Sequence, residues 1–252
     1  GLLFDVLLHI GTLAAICVVY YKDVLKMIVE GIGLIRDCII NFVRFIGNKT
    51  GRTDEPYLRL VNSSYRKLVV LIIVSTIPTG IIGVVGKDVV EMASEILLIP
   101  GICLILTAVL LFIADHAKDG DKLPKGVTYT NAFGVGIAQG IATLPGLSRS
   151  GTTITACLLS GFNRNFAVKY SFLMSIPAIL GALVLELKDY TAAALSGAEI
   201  AYYVVGMIVA AVVGYVCIKT MLIVVRRKKF TGFAIYCLIV GVISIGGYIY
   251  MA

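Results

Sequence analysis

Ala132-Phe133-Gly134-Val135-Gly136-Ile137-Ala138-Gln139-Gly140-Ile141-Ala142-Thr143-Leu144 runs into Pro145-Gly146-Leu147-Ser148-Arg149-Ser150-Gly151. After that comes Thr152-Thr153-Ile154-Thr155-Ala156-Cys157-Leu158-Leu159-Ser160-Gly161. The outer pieces read as helices, each only about 15–20 Å long at ~1.5 Å per residue. A spanning helix must cross ~30 Å of hydrocarbon and needs about 20 apolar residues. Neither half suffices, and Pro145-Gly146 interrupts the helix between them. Residues 129–165 are therefore predicted to form a re-entrant hairpin that enters and leaves the membrane on one face. Irregular backbone at that depth is tolerated only where protein buries it or a wet cavity meets it, so the hairpin predicts a site at its tip.

The tip has the chemistry of an anion cradle. Gly146 and Gly151 permit tight turns and close approach of a ligand. Ser148, Ser150, Thr152 and Thr153 carry hydroxyl donors, and Arg149 has a planar fork matching two phosphate oxygens. A second half-helix starting near Ser150 aims its free N–H groups and dipole at the same point. The bland alternative is an exposed turn in which Arg149 only sets topology. Against it, an arginine between apolar half-helices is costly unless paired.

The rest of the chain is built for a bilayer. Of its residues 59% are hydrophobic and 15% charged, and mean hydropathy is +0.96; soluble domains run near 45–50% and about 25%. Six further segments are apolar enough to span, giving an all-α polytopic protein: Leu2–Tyr21, Leu68–Gly86, Ile96–Ala114, Phe166–Leu187, Ile200–Val225 and Phe230–Tyr250. The first, third and fifth connections are basic, ending with Arg226-Arg227-Lys228-Lys229, whereas Lys87–Glu95 and Lys188–Glu199 each hold one lysine. The positive-inside rule places the basic connections in the cytoplasm and both chain ends outside. That alternation accounts for the net charge of +7 without nucleic acid as a partner. Residues 22–46 repeat apolar side chains at helical spacing opposite Lys26, Glu30, Asp37 and Arg44, as an interfacial amphipathic helix does. Residues 50–57 are the expected loop tip, and residues 115–127 a second polar loop.

Other side chains carry weaker signals. Six scattered cysteines form no Cys-x-x-Cys pair and read as small apolar fillers. His9 reads as packed in the first span, and His116, beside Asp115, as solvent-exposed. Glu186 and Asp189 read as interfacial. Arg164 is either a second phosphate or headgroup contact or a cytoplasmic anchor. The environment of Gln139 is open. No Walker loop, zinc signature or Gly-x-Ser-x-Gly elbow is present.

The run from Gly136 to Thr153 resembles the second signature of the undecaprenyl-diphosphate phosphatases, the bacitracin-resistance family. Phe172-Leu173-Met174-Ser175-Ile176-Pro177, Phe4–Leu13 and Phe233-Ala234-Ile235-Tyr236 are similar to other helices of that family. The resemblance implies two inverted repeats, each a re-entrant hairpin followed by three spans, forming one membrane domain. Here the first repeat is residues 1–114, the loop 115–128 and the second repeat 129–252. It implies hydrolysis of undecaprenyl diphosphate to the monophosphate, recycling the cell-wall lipid carrier, at a site open to the outer face. It further implies that Arg149 binds phosphate, surrounded by Ser148, Ser150 and Thr153, with Gly146, Gly151, Thr152 and Arg164 as substrate contacts. A divalent cation, Mg2+ or Ca2+, is expected as cofactor, a polyprenyl diphosphate lipid and the bilayer as partners, and a homodimer is possible. The family's first signature, a Glu-rich hairpin with Ser-Ser-x-Gly-His, has no match here, and His9 does not stand in for it. Because the chain opens at Gly1 inside an apolar helix, a preceding piece carrying that signature is the expectation. The competing expectation, which suits the missing acid and base, is a polyprenyl-phosphate transporter or binding protein that does not cleave its ligand.

Overall fold

A computed structural model describes residues 2–51, 53–188 and 197–251. Ten α-helices follow in order: α1 (Leu2–Val19), α2 (Tyr21–Lys49), α3 (Ser64–Val85), α4 (Lys87–Glu95), α5 (Leu98–His116), α6 (Tyr129–Ile141), α7 (Arg149–Leu159), α8 (Arg164–Lys188), α9 (Gly197–Arg226) and α10 (Thr231–Met251). Among the described residues there is no strand beyond two isolated bridges joining residues 120–122 to 162–163. All six expected spans are helices. Five of them, α3, α5, α8, α9 and α10, are long and apolar enough to cross a bilayer alone. The 18 residues of α1 make about 27 Å, slightly short of that. The expected connection at 87–95 is itself the short helix α4. Asp189, most of the fourth connection and the side chain of Glu186 lie outside the described residues.

Helices α6 and α7 are the two halves of the hairpin. α6 starts three residues before its expected bound because Thr128 and Asn131 form a reciprocal cap. α7 likewise starts early, at Arg149, because the Ser148 hydroxyl accepts the Gly151 N–H. Register is set by hydroxyls reaching neighbouring carbonyls. Ser75 Oγ donates to Ala132 O at 2.7 Å, and Thr79 Oγ1 to Gly136 O at 2.8 Å. α6 therefore runs parallel to α3, so close that a Cβ at Gly136 would sit 2.2 Å from Ser75 O. α7 lies along α5, with Thr155 Oγ1 donating to Leu110 O at 3.1 Å. The chain thus enters beside the start of α3, turns against the first half of α5, and leaves beside the end of α5. The mouth is filled by Phe162, Phe166 and Tyr170, whose ring centroids lie 5.5–5.7 Å apart; the Tyr170 hydroxyl contacts Ser75 Oγ at 2.6 Å.

α2 is amphipathic, as the spacing predicts. Its apolar face, including Ile28, Ile32, Ile39 and Phe42, is exposed, as suits a helix lying in a lipid interface. Its polar face is clamped by the chain leading into α3. Asn41 exchanges hydrogen bonds with the Leu58 backbone at 2.8 and 2.7 Å, and Arg66 reaches Asp37 at 2.6 Å and Glu30 at 3.0 Å. Arg66 and then Arg36, by hydrogen bonding, hold the Asp37 carboxyl below its ordinary range.

Candidate functional site

Two groups hold the hairpin tip in place. Thr107, buried on α5, donates its hydroxyl to Gly146 O at 3.1 Å and accepts the Ser148 N–H at 3.0 Å. Gly146 has φ +86°, and a Cβ there would lie 2.4 Å from Pro100 O, so both conformation and space demand glycine. At Gly151 a Cβ would lie 2.9 Å from Ser148 Oγ. Thr153 Oγ1 meets Ser171 Oγ at 2.6 Å and donates to Arg149 O at 2.9 Å, which locks α7 onto α8. Gly146, Ser148, Gly151 and Thr153 thus shape the cradle, the Ser148 hydroxyl as an acceptor from Gly151 N–H.

The remaining tip residues keep theirs unspent. The Arg149 side chain makes no hydrogen bond or ion pair with any described residue and lines two cavities. As the first residue of α7, its N–H and that of Ser150 have no intrahelical acceptor. Thr152 Oγ1 is buried without a partner. The same holds for both polar atoms of Gln139, whose residue is only 1% exposed. Buried polar atoms almost always find partners, so the orphaned amide of Gln139, in the same cavity wall as Arg149, marks a place where something else supplies a partner.

The larger cavity, about 420 Å³, is walled by His9, Thr79, Gln139, Thr143 and Arg149, with Gly80, Gly83 and Gly181 leaving room where side chains would be. A smaller one of about 330 Å³ lies on the other side of Arg149, lined by Thr12, Ser150, Ser171 and Ser175. An apolar groove of about 430 Å³ between α3 and α8 shares Thr76, Gly80 and Pro177 with the larger cavity. The larger cavity reaches Val84 and Leu185, toward the ends of α3 and α8 away from the hairpin mouth, whereas the smaller one extends back toward the mouth at Ile16 and Ser171.

Arg164 is not brought to the cradle. It stands at the mouth, where Nε donates to Asp119 at 2.8 Å and Nη1 and Nη2 to Ala114 O and Ala117 O at 3.0 and 2.9 Å. There it caps the C-terminus of α5. Lys228 first, and then Arg164, by hydrogen bonding, keep the Asp119 carboxyl below its ordinary range. Asp115, also buried, accepts from Phe230 N, Thr231 N and Thr231 Oγ1 and so caps α10. His116 is exposed and stacks on Phe112. The structure adds Gln139, Thr107, Ser171 and Ser175 to the site. An amide between Ala138 and Gly140, well inside the apolar part of α6, is a readable signal for Gln139; Thr107 has none, because its partner lies 39 residues away.

For a divalent cation the cavities offer the His9 imidazole and no carboxylate, and no group of three His, Cys, Asp or Glu exists among the described residues. Hard divalent cations take six or more oxygen ligands, carboxylates foremost, so these residues do not by themselves form such a site.

Comparison with known proteins places this geometry. The family described as bacitracin resistance protein BacA matches residues 1–243. An undecaprenyl-diphosphatase of Methanosphaera stadtmanae is 37% identical over 245 residues, covering 97% of this chain and 84% of that protein. One from Alkaliphilus metalliredigens is 38% identical over 244 residues, 97% and 83% of the two chains. One from Treponema denticola is 39% identical over 240 residues, 95% and 81%.

Proposed function

This chain belongs to the bacitracin resistance protein BacA family, and from that premise we propose how its cradle serves the reaction. The protein is a multi-pass membrane enzyme that hydrolyses undecaprenyl diphosphate to undecaprenyl phosphate and inorganic phosphate, recycling the lipid carrier. The observation that carries the site assignment is Arg149: an arginine with every donor unspent, at the N-terminus of a half-helix, between two cavities.

The diphosphate sits at the end of α7. Arg149 grips two of its oxygens with its planar fork, and the Arg149 and Ser150 N–H groups donate to a third. Negative charge builds on the phosphoryl oxygens as the anhydride P–O bond breaks, and donors already aimed at them need no reorganisation. Gln139 donates its amide from the opposite wall, and the Ser150 and Thr152 hydroxyls complete the cradle. The prenyl chain leaves through the apolar groove between α3 and α8, past Gly80. Hydrolysis also requires a group that takes the proton of the attacking water; of ionisable side chains the described walls hold Arg149 and His9 alone. The expected setting is the cell membrane, with the basic connections in the cytoplasm, both chain ends outside and the cavities open outward. In support, the larger cavity reaches the ends of α3 and α8 away from those basic connections.

The test is phosphate release from undecaprenyl diphosphate by the purified protein in detergent, with and without Mg2+ or Ca2+. Release that disappears in Arg149→Ala supports the assignment. Tight lipid binding with no release under any condition would overturn hydrolysis and favour transport.

A further inference from the structure

The end of the molecule opposite the cradle carries many cations, and several are neutralised. Arg44 pairs with Glu55 at 2.9 Å, Arg66 with Glu30 and Asp37, Lys169 with Asp23 at 3.0 Å, while Arg164 and Lys228 share Asp119. Arg59, Lys67 and Lys125 differ. Their side chains make no hydrogen bond or ion pair with a described residue, and they converge on a single cavity of about 560 Å³. Val61, Asn62, Ser63 and Tyr129 complete its walls, and no carboxylate is among them. The Lys67 ammonium stands 3.4 Å from the Tyr129 ring centroid, which holds it at the cavity's edge.

The backbone adds to this field. α3 and α6 run parallel, so their N-termini open on the same cavity, each with the positive end of its dipole. Three like charges in one pocket repel, and the Glu30 carboxylate, which accepts from the hydroxyl of the wall residue Ser63 at 3.0 Å, is paired with Arg66. A volume of this size lies within the usual range for a ligand site.

We propose that this cavity is a second anion site, separate from the cradle, for a phosphate-bearing group: the phosphodiester of an anionic lipid headgroup or a soluble phosphate. Both offer oxygens that three cations and two helix ends can share, and the cavity lies beside the interfacial helix α2, where headgroups reach.

The full chain carrying Arg149→Ala, which silences the cradle, is titrated in detergent with phosphatidylglycerol, phosphatidylcholine and inorganic phosphate. Native mass spectrometry and thermal unfolding read the binding. Phosphatidylglycerol or inorganic phosphate is expected to bind, with affinity falling roughly hundredfold when Arg59→Gln, Lys67→Gln and Lys125→Gln are added together. A control losing the same charge through Lys22→Gln, Lys118→Gln and Arg227→Gln retains it. Binding of phosphatidylglycerol alone identifies a lipid site, and binding of inorganic phosphate a soluble source. If neither anion binds better than phosphatidylcholine, or the two triple variants weaken equally, the site does not exist. None of these readings depends on hydrolysis.

Discussion

Arg149 opens α7 at the hairpin tip and Arg164 opens α8 at the hairpin mouth, and they differ in how their donors are used. Arg164 is 7% exposed and reaches two backbone carbonyls and a carboxylate. Arg149 opens into two cavities and touches no acceptor. A guanidinium whose donors are satisfied by its own protein is a fastener; one whose donors are left open at the edge of two cavities is available to a ligand. Residue type and nearness to the motif do not separate the two, but the acceptors around them do.

The sharpest break of this contrast is to remove each arginine in turn. Arg149→Ala should lower kcat/KM for undecaprenyl diphosphate by roughly 10³-fold, since a lost anion donor costs about 10²–10³ and this one supplies two. Its unfolding temperature in detergent should hardly change. A large fall in that temperature would make Arg149 structural and overturn the contrast.

Arg164→Ala should do the reverse. It leaves the carbonyls of Ala114 and Ala117 without a donor, for about 2–4 kcal/mol of lost stability. Activity per folded molecule should survive. Thermal unfolding and turnover, measured on the same preparation, decide the matter.

Gln139→Leu asks whether an orphan amide behaves like Arg149. It should lower kcat/KM by about tenfold while leaving stability equal or slightly higher, because an unpaired buried amide costs stability in the free protein. Reduced stability with unaltered kinetics would instead make Gln139 a packing residue.

Acid sharpens the mouth end of the comparison with the smallest effect. Asp37 and Asp119 both have carboxyl pKa values held below the ordinary carboxylate value. Their contribution to stability is therefore complete above the unfolded pKa of about 3.9 and is lost as pH falls through the lower folded values. Unfolding temperature should drop over that acid range. Asp119→Asn should remove part of the drop, and only a small part, because Asp119 is 60% exposed.

Much of this was legible in the amino-acid order, because a bilayer imposes severe rules. Length and hydropathy marked the six apolar helices α1, α3, α5, α8, α9 and α10, and the short halves around Pro145-Gly146 marked the hairpin, since neither could cross hydrocarbon. The local chemistry of Pro145–Gly151 likewise pointed to an anion, because caps, turns and a guanidinium act within a few residues of each other. Tertiary structure alone decided which polar groups remain available. Thr153 looks like a ligand in sequence, yet its hydroxyl is held by Arg149 O and Ser171, while Ser148 accepts the Gly151 N–H as a cap. Arg164 reads in sequence as either a second phosphate contact or an anchor, and it fastens α5 at the mouth. The sequence leaves the environment of Gln139 open, and packing leaves its amide unpaired in the cavity wall. A hydrogen-bond donor is spent or unspent according to acceptors that arrive from distant helices, and that long-range pairing is written in packing, not in the local order of residues.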